Sequence, residues 1–187
     1  MNDSFISNYM KAAIEEAKKG QGFANPNPLV GAVLVKNGKI IGTGFHEKFG
    51  TLHAERNAIK NAVSLSGDKK ICNGASLFVT LEPCCHSGKQ PPCTDAIIEN
   101  KIKEVYIGSK DPNPLVNGKG VSILREHGIK VFEGILQAEC DELNPFFFHF
   151  IKTKTPYIIL KYAMSMNGTS IIKNKNKRIS SDDSIKE

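Results

Sequence analysis

Thr80-Leu81-Glu82-Pro83-Cys84-Cys85-His86-Ser87-Gly88-Lys89-Gln90-Pro91-Pro92-Cys93, with His53-Ala54-Glu55 upstream, is the part of the chain around which the rest is arranged. It offers an imidazole and two cysteines, Cys84 and Cys93, that each directly follow a proline. Zinc takes His nitrogen and Cys sulfur readily; a structural site is closed by a fourth protein ligand, whereas a catalytic site keeps that position open. Cys85 and His86 compete for a fourth position, so a closed zinc knot stands beside the catalytic reading. Glu55 favours catalysis. A carboxylate two residues from His53 suits proton transfer beside a metal, whereas as a mere acid at a helix start it contributes about 0.3–1 kcal/mol.

Around this stretch the pattern alternates between strand and helix. Apolar spacing at Met10, Ala13, Ile14 and Ala17 predicts a helix to Lys19, closed by Gly20. Asn25-Pro26-Asn27-Pro28 is turn material. Leu29 to Leu34 and Lys39 to Gly44 read as two strands joined by the hairpin pair Asn37-Gly38. Gly31 and Gly42 would let a ligand or another backbone come close. His53 to Val63 reads as a helix. Residues two apart in mid-helix point about 200° apart, so His53 and Glu55 can share a site only at the helix start. Then come strand Ala75 to Leu81, helix Thr94 to Asn100 with Cys93 at its beginning, strand Glu104 to Ile107, helix Val121 to His127, strand Ile129 to Phe132 and helix Gln137 to Phe150. Such alternation predicts an α/β sheet covered on both faces.

The 187 residues suit one domain with a short extension, and 40% hydrophobic with 24% charged residues reads as soluble and globular. No run reaches about 18 apolar residues, and no basic-then-apolar leader opens the chain, so no membrane partner and a cytoplasmic location are expected. Five cysteines in a reducing compartment favour metal binding over disulfides. Cys72 and Cys140 read as packing residues, and His127 and His149 as structural. The net charge of +6 invites a nucleic-acid partner, yet residues 1–150 hold 17 basic and 16 acidic side chains and residues 151–187 hold 8 and 3. The basicity lies in the tail, away from the metal motif, and no nucleic-acid partner is expected.

The pattern His-x-Glu, then Pro-Cys and a second Cys, resembles the zinc-dependent nucleobase deaminases. Many of these place two residues between their cysteines; here eight separate Cys84 from Cys93. The inserted His86-Ser87-Gly88-Lys89-Gln90-Pro91-Pro92 resembles the pyrimidine deaminases of riboflavin biosynthesis, as do Asn27-Pro28-Leu29-Val30-Gly31-Ala32-Val33 and Asp111-Pro112-Asn113-Pro114-Leu115-Val116. The likeness covers roughly residues 5 to 168. It implies a three-layer α/β/α sandwich with a mixed sheet, one Zn²⁺ per chain on His53, Cys84 and Cys93, and Glu55 as proton shuttle. Asn27, His46, His86, Lys89, Asp111 and Asn113 match positions that the family places around its substrate, where a cation and hydrogen-bonding groups suit a ribose phosphate and a polar pyrimidine. Cys85 stands where the family commonly has a small residue and reads as a bystander. Glu82 reads as an orienting acceptor.

The implied reaction is zinc-dependent hydrolytic deamination of 2,5-diamino-6-ribosylamino-4(3H)-pyrimidinone 5′-phosphate, a small phosphorylated pyrimidine, to 5-amino-6-(5-phosphoribosylamino)uracil. A nucleoside or transfer-RNA deaminase is disfavoured by the long insertion and the near-neutral first 150 residues, and a non-catalytic zinc-stabilised module by Glu55. Residues 1–151 read as the deaminase domain. Residues 152–187, from the Tyr157 to Lys161 strand through Met166, resemble the opening of the reductase domain that often follows. The family's usual Asp and aromatic are Asn167 and Arg178 here. This remainder is expected to be partly disordered, to bind no NADPH, and to leave room for a homo-oligomer or a separate reductase partner.

Overall fold

Asn37 and Gly38 both take positive φ, 52° and 73°, the conformation of a two-residue hairpin turn. They join β1 (Gly31–Lys36) to β2 (Lys39–Phe45), antiparallel with Lys36 opposite Lys39. On the other side of β1 lies β3 (Ser76–Leu81), also antiparallel, and β3 runs parallel to β4 (Glu104–Ser109), which runs parallel to β5 (Lys130–Phe132). The sheet order is β2-β1-β3-β4-β5. All six residues of β3 are buried, as a central strand covered on both faces requires. The computed structural model describes residues 3–113, 116–164, 171–172 and 177–178.

Helices α2 (Ala54–Ser66), α3 (Cys93–Glu99) and α4 (Lys119–Glu126) cover one face, where Ala58, Ala62, Ile97 and Leu124 pack with Leu34, Leu77, Val79, Val105 and Ile107. On the opposite face α1 (Asp3–Lys18) and α5 (Gln137–Glu142) pack Met10, Ala13, Ile14 and Cys140 with Val33, Val35, Phe78 and Tyr106. Phe78 is fully buried and stacks on Tyr106 at 4.5 Å between ring centroids; deleting such a ring costs about 3–5 kcal/mol. The expected three-layer α/β/α sandwich with a mixed sheet is the observed fold. A Cβ on Gly31 would overlap the Ala13 carbonyl oxygen, and one on Gly42 would stand 2.5 Å from that of Ala58. Both glycines admit a helix backbone, not a ligand.

Three expectations are corrected. The helix from Gln137 to Phe150 is two helices, α5 and α6 (Pro145–Thr153), because Pro145 has no N–H to continue the ladder. The buried Asn144 between them accepts from Leu29 N at 2.7 Å and donates to Leu29 O at 2.8 Å. Leu29 thus spends its backbone groups on a side chain, and β1 begins at Gly31 rather than at Leu29. Tyr157 to Lys161 is not a strand: an apolar β-branched composition is a preference that depends on its tertiary context. The chain divides into compact units at Met1–Thr155 and Pro156–Glu187, and the second contains the short antiparallel pair β6 (Ile171–Ile172) and β7 (Lys177–Arg178). Asn167 and most of the basic run from Lys173 lie outside the described residues. Among the described residues, no helix is long and apolar enough to cross a membrane.

Candidate active site

Parallel pairing of β3 with β4 and antiparallel pairing of β1 with its neighbours bring four chain segments to one end of the sheet. These are the end of β3 with Glu82 to Cys84, the end of β4 with Asp111, the entry to β1 with Asn27, and the exit of β2 with His46. Ligands favour such carboxyl ends in layered α/β sheets. A cleft of about 260 Å³ opens there, and Asn27, His46, His53, Glu55, Cys84, His86, Lys89, Asp111 and Asn113 all line it. Nine of the ten sequence-derived site residues therefore share one cavity. The tenth, Cys93, is fully buried and starts α3.

His53 caps α2 with an extended backbone, φ −74° and ψ 164°. That break in helical geometry lets His53 and Glu55, two residues apart, turn to the same place. His53 Nδ1 stands 3.4 Å from Cys84 Sγ and 3.3 Å from Cys93 Sγ. The three donor atoms lie within 4.8 Å of one another, the one such His/Cys/Asp/Glu group among the described residues. Nitrogen and sulfur ligands of tetrahedral zinc at about 2.0–2.1 and 2.3 Å stand about 3.5 Å apart, so the observed spacings fit the ion. Cys85 and His86 are not in the group, and the knot reading loses its fourth ligand.

The electrostatics match this donor set. The hydrogen bond with Cys93, assisted by those with His53 and the Cys93 backbone, pulls the Cys84 thiol down to about 4. Cys93 is pushed up because it is hydrogen-bonded to Cys84, deeply buried, and beside the Glu55 charge. One proton is thus shed readily by the pair. The hydrogen bond with Cys84 raises His53 against the opposing effect of burial. Glu55 is buried, and desolvation first, then the Cys84 charge, raises its carboxyl, which is also hydrogen-bonded with Cys93.

The cleft walls are polar and mutually braced. His46 places Nδ1 3.2 Å from Leu52 O and Nε2 3.0 Å from Asn27 Nδ2, and its ring meets His53 edge-on at 5.3 Å. In the inserted loop, Lys89 Nζ sits 4.0 Å over the Phe49 ring, and Gln90 Nε2 donates to Gly50 O at 3.0 Å. Asp111 Oδ1 accepts from Asn113 N at 2.8 Å, and burial raises the Asp111 carboxyl. Glu82 accepts from Gly118 N at 3.0 Å and from Val121 N at 3.4 Å, anchoring the start of α4. It is the orienting acceptor expected. Phe49, Thr51, Gln90 and Phe147 also line the cleft and were not singled out by sequence. No motif marks Phe147, which reaches the site from α6 by tertiary packing alone.

A mixed sheet with a His/Cys/Cys group and a buried glutamate at two helix beginnings defines a zinc-dependent deaminase. Residues 3–109 match the family model of the cytidine and deoxycytidylate deaminase zinc-binding region. The chain belongs to this family, and within it to the riboflavin-biosynthesis pyrimidine deaminases. It is 56% identical over 160 residues to the riboflavin biosynthesis protein RibD of Actinobacillus pleuropneumoniae, covering 86% of this chain and 41% of that one. It is 47% identical over 156 residues to the diaminohydroxyphosphoribosylamino-pyrimidine deaminase of Buchnera aphidicola subsp. Schizaphis graminum, covering 83% of this chain and all of that protein. The crystal structure of a diaminohydroxyphosphoribosylaminopyrimidine deaminase/5-amino-6-(5-phosphoribosylamino)uracil reductase from Thermotoga maritima superposes with a TM-score of 0.88 at 48% identity, over 98% of this chain and 51% of that one. The chain spans about half the length of the Actinobacillus and Thermotoga relatives and the whole length of the Buchnera one.

Proposed function

We propose that this chain deaminates 2,5-diamino-6-ribosylamino-4(3H)-pyrimidinone 5′-phosphate by hydrolysis, giving 5-amino-6-(5-phosphoribosylamino)uracil and ammonia in riboflavin biosynthesis. The observation that carries the reading is the buried Glu55 carboxyl beside His53, Cys84 and Cys93, on the floor of a cleft whose wall is the inserted loop with Lys89. His53, Cys84 and Cys93 would hold zinc, which when bound would supply Lewis acidity that lowers the pKa of a water, less so with two thiolates than with three neutral imidazoles. Glu55 takes one proton from the attacking water and passes it to a ring nitrogen, then takes the second from the new hydroxyl on the ring carbon and delivers it to the amino group, which leaves as ammonia as the carbonyl forms. The desolvated Glu55 carboxyl, more basic than an ordinary one, is suited to holding each proton between transfers. Asn27, His46, Asp111 and Asn113 orient the pyrimidine and ribose, with His86 beside them, and Lys89 receives the phosphate as a compact cation.

On this reading residues 1–151 are the deaminase, and residues 152–187 correspond to the opening of a reductase domain. The exposed Ile158, Ile159 and Leu160 support a partner surface there, for a second copy or a reductase. The test is ammonia release by the zinc-loaded 187-residue chain from the phosphorylated diaminopyrimidine, cytidine, deoxycytidylate and a transfer RNA. Saturable release from the first alone is expected. Release from a nucleoside or RNA, with none from the diaminopyrimidine, would overturn the proposal.

A further inference from the structure

The Cys84–Cys93 segment is longer than a two-residue spacer, so something must hold its far end against the helix that carries His53 and Glu55. Cys84 and Cys93 are tied to one another by backbone: Cys93 N and Thr94 N donate to Cys84 O at 3.0 and 3.2 Å. Those bonds do not reach α2. Arg56 does. From the first turn of α2, half-buried, it donates from Nη2 to Pro92 O at 2.7 Å and from Nε to Pro91 O at 3.3 Å. Pro91 and Pro92 lack N–H groups and have φ restricted by their rings. Gripping their consecutive carbonyls therefore transmits to Cys93, the next residue, with little slack. A guanidinium presents its donors as a rigid fork, which an ammonium cannot reproduce across two acceptors.

We infer that Arg56 is a positioning residue for the metal: it braces the helix bearing His53 and Glu55 against the Pro91-Pro92 pair, and so sets Cys93 at its distance from His53. This rests on His53, Cys84 and Cys93 holding zinc. Arg56 touches neither substrate nor ion on this account. Its effect is to keep the three donor atoms converged.

The experiment compares the zinc-loaded full chain with Arg56→Ala and Arg56→Lys, by zinc transfer to a competing chromogenic chelator and by thermal midpoint with and without zinc. Arg56→Ala should weaken zinc retention by about 10–100-fold, the usual effect of losing a partner that orients a metal ligand. Losing the two hydrogen bonds lowers both midpoints, and the midpoint gain on adding zinc should shrink as well, because a lost metal-site brace also acts through linkage to the ion. Arg56→Lys should recover only part of the retention, and it serves alone if the alanine variant does not fold. Unchanged chelator competition, or equal falls of both midpoints, would make Arg56 an ordinary structural strut and overturn the inference. Failure of the wild-type chain itself to take up zinc would instead remove the metal assignment, and the brace with it.

Discussion

His46 and Asn27 form a hydrogen-bonded pair across the cleft, with His46 Nε2 3.0 Å from Asn27 Nδ2. The opposite nitrogen, Nδ1, faces Leu52 O at 3.2 Å and so carries the proton. Burial lowers the His46 pKa and keeps the ring neutral, so Nε2 is the acceptor and Asn27 Nδ2 the donor. The Asn27 amide is thereby given one orientation, with its oxygen directed away from His46. His46→Phe keeps a ring against His53 but loses the acceptor. One lost hydrogen bond of about 1–1.5 kcal/mol predicts a KM for the pyrimidine raised roughly 10-fold, with kcat changed less. Steady-state kinetics showing the loss in kcat alone would assign His46 another role.

Glu55→Gln keeps the shape of the buried side chain and removes its capacity to carry a proton. Turnover should fall by on the order of 10²–10⁴ while zinc content stays at one per chain. Metal analysis on the same preparation separates a lost shuttle from a lost ion.

The two adjacent cysteines should behave oppositely. Cys84 faces His53 within 3.4 Å, whereas Cys85 is outside the donor group. Cys84→Ser should lose zinc and activity, and Cys85→Ser should keep both. The reverse dependence in metal analysis would displace Cys84 as a ligand.

Lys89 rests over Phe49 at the cleft, a cation held by an aromatic face. Lys89→Ala should weaken the phosphorylated substrate much more than its dephosphorylated analogue. Equal losses on the two substrates would place Lys89 away from the phosphate.

Asp111 predicts a pH effect on stability. Its carboxyl is raised from 3.8 chiefly by burial. Between 3.8 and the raised folded value, the folded chain binds more protons than the unfolded one, so stability falls as pH rises through that window. Above the window the full cost of the buried charge is present. Asp111→Asn should therefore raise the melting midpoint at pH 7, with little difference near pH 3, while raising KM. Calorimetry from pH 3 to 8 measures the difference, and a midpoint lowered at pH 7 would show that the charge is compensated in the fold.

Part of the site's chemistry is local in the sequence, and that part could be read there. His53 and Glu55 are separated by one residue, and within a helix-forming run they can point the same way only at the helix start. The structure places His53 at the cap of α2, as that constraint requires. The Asn37-Gly38 hairpin was legible for the same reason, since two positive-φ residues dictate the pairing beside them. The break at Pro145 was also present in the sequence, in the missing N–H, although the apolar pattern ran across it.

Tertiary structure decided what depends on residues distant along the chain. Asn144 replaces a ladder partner for Leu29 from 115 positions away, and no local pattern encodes that exchange. Phe147 reaches the cleft, and Arg56 reaches the Pro91 and Pro92 carbonyls, only because packed elements bring them there. The run from Tyr157 to Lys161 shows the converse: its strand-like composition is a preference, and the backbone there is irregular. The motifs thus marked His53, Glu55, Cys84 and Cys93 as candidates, and packing across 31 and 40 positions brought the donors together and determined which side chains brace and wall them.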